Sequence, residues 1–185
     1  MATYVALLRG INVGGNKMIA MAELRAALTK AGFSNVRTLL QSGNVVLDAG
    51  ASSPAKLESQ LEAEVKKRFS LEVEFHVRSP AEWAAVIEAN PFAAEAKADP
   101  SHLLVTFYKT PLDKAKVKAA QAAIVGPERL HAEGRHLYMV FPEGIGRSKA
   151  TIVVGKVLGP SGTARNWNTV QKLAALAPVR GSASL

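Results

Sequence analysis

The chain has 185 residues, 48% of them hydrophobic and 21% charged, a composition typical of a globular protein with a proper core. It has no cysteine, which excludes disulfides, thiolate nucleophiles and iron–sulfur clusters. Because this also fits a reducing compartment, we expect a cytoplasmic protein. No apolar stretch approaches the roughly 18 residues of a bilayer span, and the start MATYVALLRG lacks the basic segment of a signal peptide, so we expect no membrane association.

The net charge of +8 is unevenly distributed along the chain. Residues 1–90 carry ten basic and nine acidic side chains, whereas residues 91–185 carry thirteen and six. This imbalance indicates either an anionic partner or ligand, or a basic surface that only keeps the protein soluble.

The first half of the sequence follows the order strand, helix, strand, strand, helix, strand, which is the ferredoxin-like arrangement. Apolar and β-branched runs predict the strands, and apolar residues at helical spacing predict the helices. Residues 71–78 alternate strictly, so we expect an edge strand with His76 and Arg78 on a wet face. The predicted elements are strands 3–11, 36–41, 44–48 and 71–78, and helices 21–31 and 53–69.

The second half of the sequence repeats this plan after a connecting helix that a capping box, Ser79 to Glu82, opens. Thr163 is expected to cap a last helix, so we predict that the second half ends in helices instead of a clean fourth strand. The tail RGSASL is expected to be frayed. The further predictions are a linker at 91–101, a strand at 102–109, a helix capped by Thr110 and Pro111, a hairpin of 129–133 and 136–141, and an ambiguous segment at 151–159 that reads as helix or strand.

These elements predict an α+β fold with two ferredoxin-like (βαββαβ-type) subdomains in one compact chain. The first subdomain and its connecting helix take residues 1–90, a linker takes 91–101, and the second subdomain with C-terminal helices takes 102–185.

The stretch RGINVGGNK, residues 9–17, places three glycines and two asparagines between two cations. It is not a Walker A loop, because Asn16 stands at the lysine position and Met18 where a hydroxyl is required. It also lacks the second glycine of the dinucleotide fingerprint. Two interpretations remain: an anion-binding loop of free N–H groups, or a tight turn with local asparagine hydrogen bonds. The candidate binding residues are Arg9, Asn12, Gly14, Gly15 and Lys17.

The stretch QSGN, residues 41–44, is either a plain hairpin turn or a second part of the same site. In a β-α-β-β unit the first and third strands are antiparallel neighbours, so residues 9–12 are expected to approach residues 42–44. Gln41, Ser42 and Asn44 therefore join the candidate site.

The second half offers a further basic cluster of candidate residues. Arg147 and Lys149 follow the second hairpin, and Arg165 and Asn166 are expected in the first turn of the last helix. A helix N-terminus beside an arginine is a plausible anion site, although Asn166 has the competing role of a helix cap.

The sequence shows no recognisable catalytic or metal-binding pattern. His131 and His136 flank the second hairpin turn but have no carboxylate partner, so we predict no metal site. Neither a Ser-His-Asp arrangement nor paired carboxylates are apparent from the spacing. Catalytic residues, cofactors and oligomeric state, and whether the protein is an enzyme at all, are therefore left open.

Several of these motifs together resemble a known protein family. RGINVGGNK with the following M-x-x-L, then QSGNVV, NPF (90–92) and RNWNTVQKL (165–173), are similar in order and spacing to the bacterial family called domain of unknown function 1697. The resemblance extends from about Thr3 to Leu176 and implies the duplicated ferredoxin-like fold. It implies no activity, because the family is uncharacterised.

Two functional hypotheses follow from these residues. The first is a cleft between the subdomains that binds a small phosphate- or carboxylate-bearing ligand through the candidate residues of both halves. The second is RNA or DNA binding by the basic C-terminal half, in which Tyr108 and Tyr138 share an exposed sheet face with His102 and His136. We rank the first hypothesis above the second.

Overall fold

The computed structural model of the protein describes residues 1–178, so the expected frayed tail lies outside the described residues. The strands are β1 (Ala2–Leu8), β2 (Ser34–Leu39), β3 (Asn44–Ala49), β4 (Phe75–Arg78), β5 (Leu103–Phe107), β6 (Arg129–Glu133), β7 (His136–Val140) and β8 (Thr163–Asn166). The α-helices are α1 (Met21–Lys30), α2 (Pro54–Phe69), α3 (Pro80–Glu88), α4 (Ala93–Ala98), α5 (Lys114–Ala123), α6 (Ala150–Leu158) and α7 (Trp167–Leu176).

The strands form two antiparallel sheets of the same topology, ordered β2-β3-β1-β4 and β6-β7-β5-β8. Each sheet has the β-α-β-β-α-β connectivity of the ferredoxin-like fold. The prediction of an α+β protein with two such subdomains is therefore confirmed.

The chain divides into two compact units, which we call the first and second unit. The first unit comprises Met1–Ala85 with the residues from Lys172 onward, and the second comprises Val86–Gln171. The segment predicted as a linker carries α4 and lies within the second unit.

The core of the first unit lies between one face of its sheet and the helices α1 and α2. Apolar residues at helical spacing, such as Leu24 and Leu28 on α1 and Leu57 and Leu61 on α2, are fully buried there. The predicted cap of α2 is confirmed, because the Ser53 hydroxyl accepts a hydrogen bond from the N–H of Lys56 at 3.3 Å.

The second unit differs from the prediction at its C-terminal end. Thr163 does not cap a helix but begins β8, which pairs with the central strand β5 and is the fourth strand of the sheet. The last helix, α7, begins only at Trp167. The residues preceding it, predicted as helix or strand, form α6, which packs against α5. Pairing with a central strand and packing on a neighbouring helix are tertiary contacts, which override the local propensity of β-branched residues.

Two smaller predictions are also wrong. The helix α5 is capped by Asp113, whose carboxylate accepts from the N–H groups of Ala115 (2.7 Å) and Lys116 (3.2 Å), and not by Thr110. The strand β4 is an edge strand as expected, but His76 and Arg78 are fully buried. Alternation predicts only which residues share a face and cannot show whether that face is covered.

Candidate functional site

The loop that connects β1 to α1 contains the glycine-rich stretch of residues 9–17. Gly14 and Gly15 both have positive φ (59° and 77°) at the tip of a turn in which the N–H of Asn16 donates to the carbonyl of Val13 at 3.2 Å. This backbone conformation is the one that glycine adopts without steric cost. In the described structure these two glycines therefore shape the turn.

Asn12 joins this loop to the QSGN turn through its side chain. Its Nδ2 donates to the carbonyls of Ile19 (2.9 Å) and Gln41 (2.7 Å), and its Oδ1 accepts from the N–H of Ile19 at 2.8 Å. The amide thus bonds to backbone groups at both ends, and Asn12 acts as a positioning residue for the loop.

The QSGN turn packs directly on the end of β1, which confirms the predicted approach of the two segments. The carbonyl of Gly43 accepts from the N–H of Leu8 at 2.8 Å, and a Cβ on Gly43 would lie 2.7 Å from the side chain of Ile11. The buried Asn44 donates to the carbonyl of Leu39 (2.8 Å) and to the hydroxyl of Ser42 (3.1 Å). These contacts fix the turn beside the loop.

Beside this loop lies a surface groove of about 430 Å³ in the first unit. Arg9 and Lys17 from the loop and Lys66 from α2 line it, so three cations converge there. The groove is completed by Glu62, Ala63, Glu72, Val73 and Glu74.

The segment of residues 72–74 holds each of the three cations. Arg9 Nη1 lies 3.2 Å from Glu74 Oε2, Lys66 Nζ lies 2.8 Å from Glu72 Oε1, and Lys17 Nζ donates to the Glu72 carbonyl at 2.6 Å. The hydrogen bond from Lys66 lowers the pKa of Glu72, and the same bond raises the pKa of Lys66. The ion-paired side chains are solvent-exposed to an appreciable degree, so each pair stabilises the fold only weakly.

Glu62, which also lines the groove, accepts a hydrogen bond from the edge of the sheet. Its Oε1 accepts from the N–H of Phe75 at 2.9 Å, and Glu58, one turn earlier on α2, accepts from the N–H of Val77 at 2.8 Å. In an antiparallel pair alternate residues direct their N–H groups away from the partner strand, and those of Phe75 and Val77 point to the outer edge of β4. Two carboxylates from α2 therefore accept hydrogen bonds from amides that another strand could otherwise pair with.

The candidate residues of β8 have structural contacts within the second unit. Arg165 is 8% exposed, and its Nη1 donates to the hydroxyl of Thr163 and the carbonyl of Ala164, both at 2.8 Å. Burial lowers the pKa of Arg165 to about 10. Asn166 caps α7, because its Oδ1 accepts from the N–H and hydroxyl of Thr169. Arg165 thus lies on a strand and not in the first turn of a helix.

Arg147 and Lys149 are both exposed, immediately before α6. Between them, Ser148 donates a short hydrogen bond to the buried Glu128 and accepts from the N–H of Ala150 at 3.0 Å. The hydroxyl of Ser148, which precedes the N-cap residue Lys149, thus bonds the first amide of this helix, and the N-cap residue makes no side-chain cap bond.

The aromatic platform expected for nucleic-acid binding is not formed. Tyr108 is 4% exposed and Tyr138 is fully buried, with its hydroxyl donating to the carbonyl of Val86 at 2.6 Å. The strand register places Tyr138 opposite Val105, whereas Tyr108 follows Leu104 and Thr106, so the two rings lie on opposite faces. Buried rings on opposite faces cannot stack successive bases.

Sequence reasoning missed Lys66, Glu72 and Glu74 as neighbours of the loop. Each belongs to a pattern that predicts a solvated helix face or strand face. Only the packing of α2 beside β4 brings them to Arg9 and Lys17. Within residues 1–178, no group of three or more metal-ligating side chains is found, and no helix is long and apolar enough to cross a bilayer.

The fold and this groove define a tandem ferredoxin-like α+β protein with a charged groove in its first unit. The chain belongs to the protein family of unknown function DUF1697, whose model matches residues 1–138. No curated protein matches the chain.

A solved structure shares the fold over nearly the whole chain. The conserved bacterial protein SP0830 from Streptococcus pneumoniae is similar with a TM-score of 0.72 and 26% sequence identity. The match covers 95% of this chain and 98% of that protein. The family and the fold are thereby established, and neither comparison assigns a molecular function.

Proposed function

We propose that the protein binds a small phosphate-bearing ligand in the groove of the first unit, through Arg9, Lys17 and Lys66. The observation that carries this proposal is the convergence of three cations from two separate segments on one groove. Arginine and lysine are the side chains that bind phosphate oxygens, the arginine through its planar fork and the lysine as a point charge.

The acidic side chains of the groove oppose this binding only weakly. Glu74 and Glu72 present carboxylate oxygens to Arg9 and Lys66 at hydrogen-bond distance, so both cations can already hold an anion in this conformation. Exposed ion pairs of this kind are worth at most about 1 kcal/mol each. A phosphate dianion that contacts both cations and Lys17 can therefore replace the carboxylates, which swing into solvent.

The other candidate residues of the first unit have a positioning role in this proposal. Asn12 and Asn44 hold the loop and the neighbouring turn, and Gly14 and Gly15 allow the chain to reverse. A rigid loop lowers the entropic cost of holding Arg9 and Lys17 at the groove.

Calorimetric titration with inorganic phosphate and pyrophosphate tests the proposal. The Arg9→Ala/Lys17→Ala variant is expected to bind at least tenfold more weakly than the wild type. Lys30→Ala/Lys67→Ala is the matched control, since it removes two exposed cations of the same unit outside the groove.

Glu74→Gln distinguishes a binding role of Arg9 from a structural one. The substitution removes the competing carboxylate, so phosphate is expected to bind several-fold more tightly. Equal losses in both double variants would show that only net charge matters, and an absence of phosphate and pyrophosphate binding to the wild type would refute the proposal.

A further inference from the structure

The groove of the first unit is larger than an inorganic phosphate requires. Its volume is about 430 Å³. Protein sites for small organic molecules have volumes of roughly 300–1,000 Å³. A phosphate group at Arg9, Lys17 and Lys66 therefore leaves room in the groove for an organic group.

The lining of this groove is almost entirely charged. Besides the three cations it consists of three glutamates, Glu62, Glu72 and Glu74, and of the small apolar residues Ala63 and Val73. All of these residues lie in the described part of the chain, and none of them is aromatic. Nucleobases are commonly held by stacking on aromatic rings. The lining therefore favours a polar organic group over a base.

The three glutamates of the groove are held in different ways. Glu72 and Glu74 pair with cations and are the carboxylates that a phosphate replaces. Glu62 instead accepts a hydrogen bond from the backbone N–H of Phe75 at 2.9 Å. An amide of the sheet keeps its place when a ligand binds, so Glu62 stays at the groove when the other two carboxylates turn into solvent.

The carboxylate of Glu62 determines which groups a ligand can place beside it. An ionised carboxylate only accepts hydrogen bonds, and its two oxygens offer about four acceptor positions. The N–H of Phe75 takes one of these positions. A ligand acceptor beside Glu62 would be repelled and left unpaired, so the matching group is a hydrogen-bond donor.

The charge balance of the groove distinguishes a hydroxyl donor from an ammonium. With Glu72 and Glu74 in solvent, three cations and the carboxylate of Glu62 remain in the lining. A phosphate monoester dianion neutralises this set. An ammonium on the same ligand would add an uncompensated positive charge beside three cations, whereas a hydroxyl adds no charge.

We infer, on the basis of the proposed phosphate site, that the groove binds the phosphate monoester of a small polyhydroxylated molecule, as in a sugar phosphate. The phosphate lies at Arg9, Lys17 and Lys66, and a hydroxyl of the ligand donates to the Glu62 carboxylate. A hydrogen bond to an ionised group is roughly twice as strong as one between neutral groups. Glu62 thus distinguishes a hydroxylated phosphate from a phosphate alone.

Calorimetric titration with a matched series of phosphates tests this specificity. Ribose 5-phosphate is expected to bind roughly tenfold more tightly than butyl phosphate, which has no hydroxyl on its carbon chain, as one hydrogen bond to a charged group would produce. Phosphoethanolamine is expected to bind no more tightly than butyl phosphate. AMP adds a base to the same sugar and phosphate and is expected to bind no more tightly than ribose 5-phosphate.

Glu62→Gln examines the residue that makes the distinction. The amide oxygen of glutamine can still accept from the N–H of Phe75, and an unchanged melting temperature verifies that the edge of the sheet is intact. The preference for ribose 5-phosphate over butyl phosphate is expected to fall several-fold, while inorganic phosphate binds equally or more tightly because a negative charge is removed. Glu64→Gln is the matched control, since Glu64 lies on the same helix outside this groove, and is expected to leave the preference unchanged.

The results separate the identity of the ligand from the existence of the phosphate site. Equal binding of ribose 5-phosphate and butyl phosphate, with inorganic phosphate still bound, would overturn the hydroxylated ligand and retain the proposed function. Tighter binding of phosphoethanolamine than of ribose 5-phosphate would assign Glu62 to an ammonium and also overturn it. The same loss of preference in Glu62→Gln and Glu64→Gln would show that Glu62 makes no specific contact. An absence of binding by every phosphate in the series would refute both the proposed function and this ligand.

Discussion

The fourth strands of the two units, β4 and β8, occupy the same place in sheets of the same order. They differ in the side chains that they direct toward the helices. In β4 the helical face carries Phe75 and Val77, both fully buried, and the outward amides are held by carboxylates of α2. By strand register the corresponding residues of the second unit are Gly162, directly before β8, and Ala164 in β8, and a groove of about 300 Å³ lies beside them. One topology thus supports a closed core in one unit and an open groove in the other.

The opposite faces of the same two strands are alike. Arg78 and Arg165 are equivalent by register and both buried, and each donates from Nη1 to the carbonyl of the preceding residue at 2.8 Å. The two units therefore retain one feature of the fourth strand while they differ in another. The difference in these residues lies on the helical face, where the groove of the second unit is found.

The largest expected effect comes from opening the first unit in the way the second unit is open. Phe75→Ala removes a fully buried ring and is expected to lower the free energy of unfolding by about 3–5 kcal/mol, because the lost burial adds to the cost of the cavity. Denaturant unfolding measures it. Leu104→Ala, at a half-buried position in the second unit, is the control and is expected to cost clearly less. Equal losses would show that the groove is closed in solution.

The second prediction concerns the edge of β4. Glu58→Ala leaves the amide of Val77 without the carboxylate that it donates to, in a buried place, and is expected to cost about 1–3 kcal/mol. Glu62→Ala, at a more exposed position on the same helix, is expected to cost less. Chemical denaturation together with amide hydrogen exchange at Val77 checks both. Unchanged protection of that amide in Glu58→Ala would contradict the capping role.

The third prediction closes the second unit in the way the first is closed. Ala164→Val restores the residue type of Val77 at an exposed position beside the groove and is expected to change stability by less than about 1 kcal/mol, in the stabilising direction. Thermal unfolding measures the change, and Ala164→Ser serves as a control of similar size to alanine. A marked destabilisation by valine would show that the groove has no free space at this position.

The smallest effect is a shift in the pKa of Glu72 in the groove that Arg9, Lys17 and Lys66 line. The hydrogen bond from Lys66 lowers the pKa of Glu72, so its carboxylate is expected to titrate below the ordinary value, and Lys66→Gln is expected to move it back up. Because the folded pKa lies below the unfolded one, the pair stabilises the fold above the unfolded pKa and loses that contribution as the pH falls. NMR titration of the Glu72 carboxyl carbon detects the shift. If Glu72 has the same pKa in the wild type and in Lys66→Gln, the two side chains do not form an ion pair in solution.

Much of the fold follows from patterns within single elements. Helical spacing of leucines on α1 and α2, the Ser79 to Glu82 capping box and the QSGN turn between two β-branched runs are local signals, and all are confirmed. The approach of the QSGN turn to the end of β1 also followed, because the antiparallel order of a β-α-β-β unit dictates it.

What the sequence by itself determined is thus the order of elements in the first unit and the family, through motifs that each lie within one short segment. The tertiary structure alone decided three further features: that residues 163–166 pair with β5 instead of starting a helix, that Tyr108 and Tyr138 are buried, and that Lys66 reaches the loop of Arg9. Each depends on which distant segment lies alongside, and neither the period of an element nor its propensity carries that information. The groove beside Gly155 belongs with these, because a glycine leaves open space only where its neighbours do not fill it.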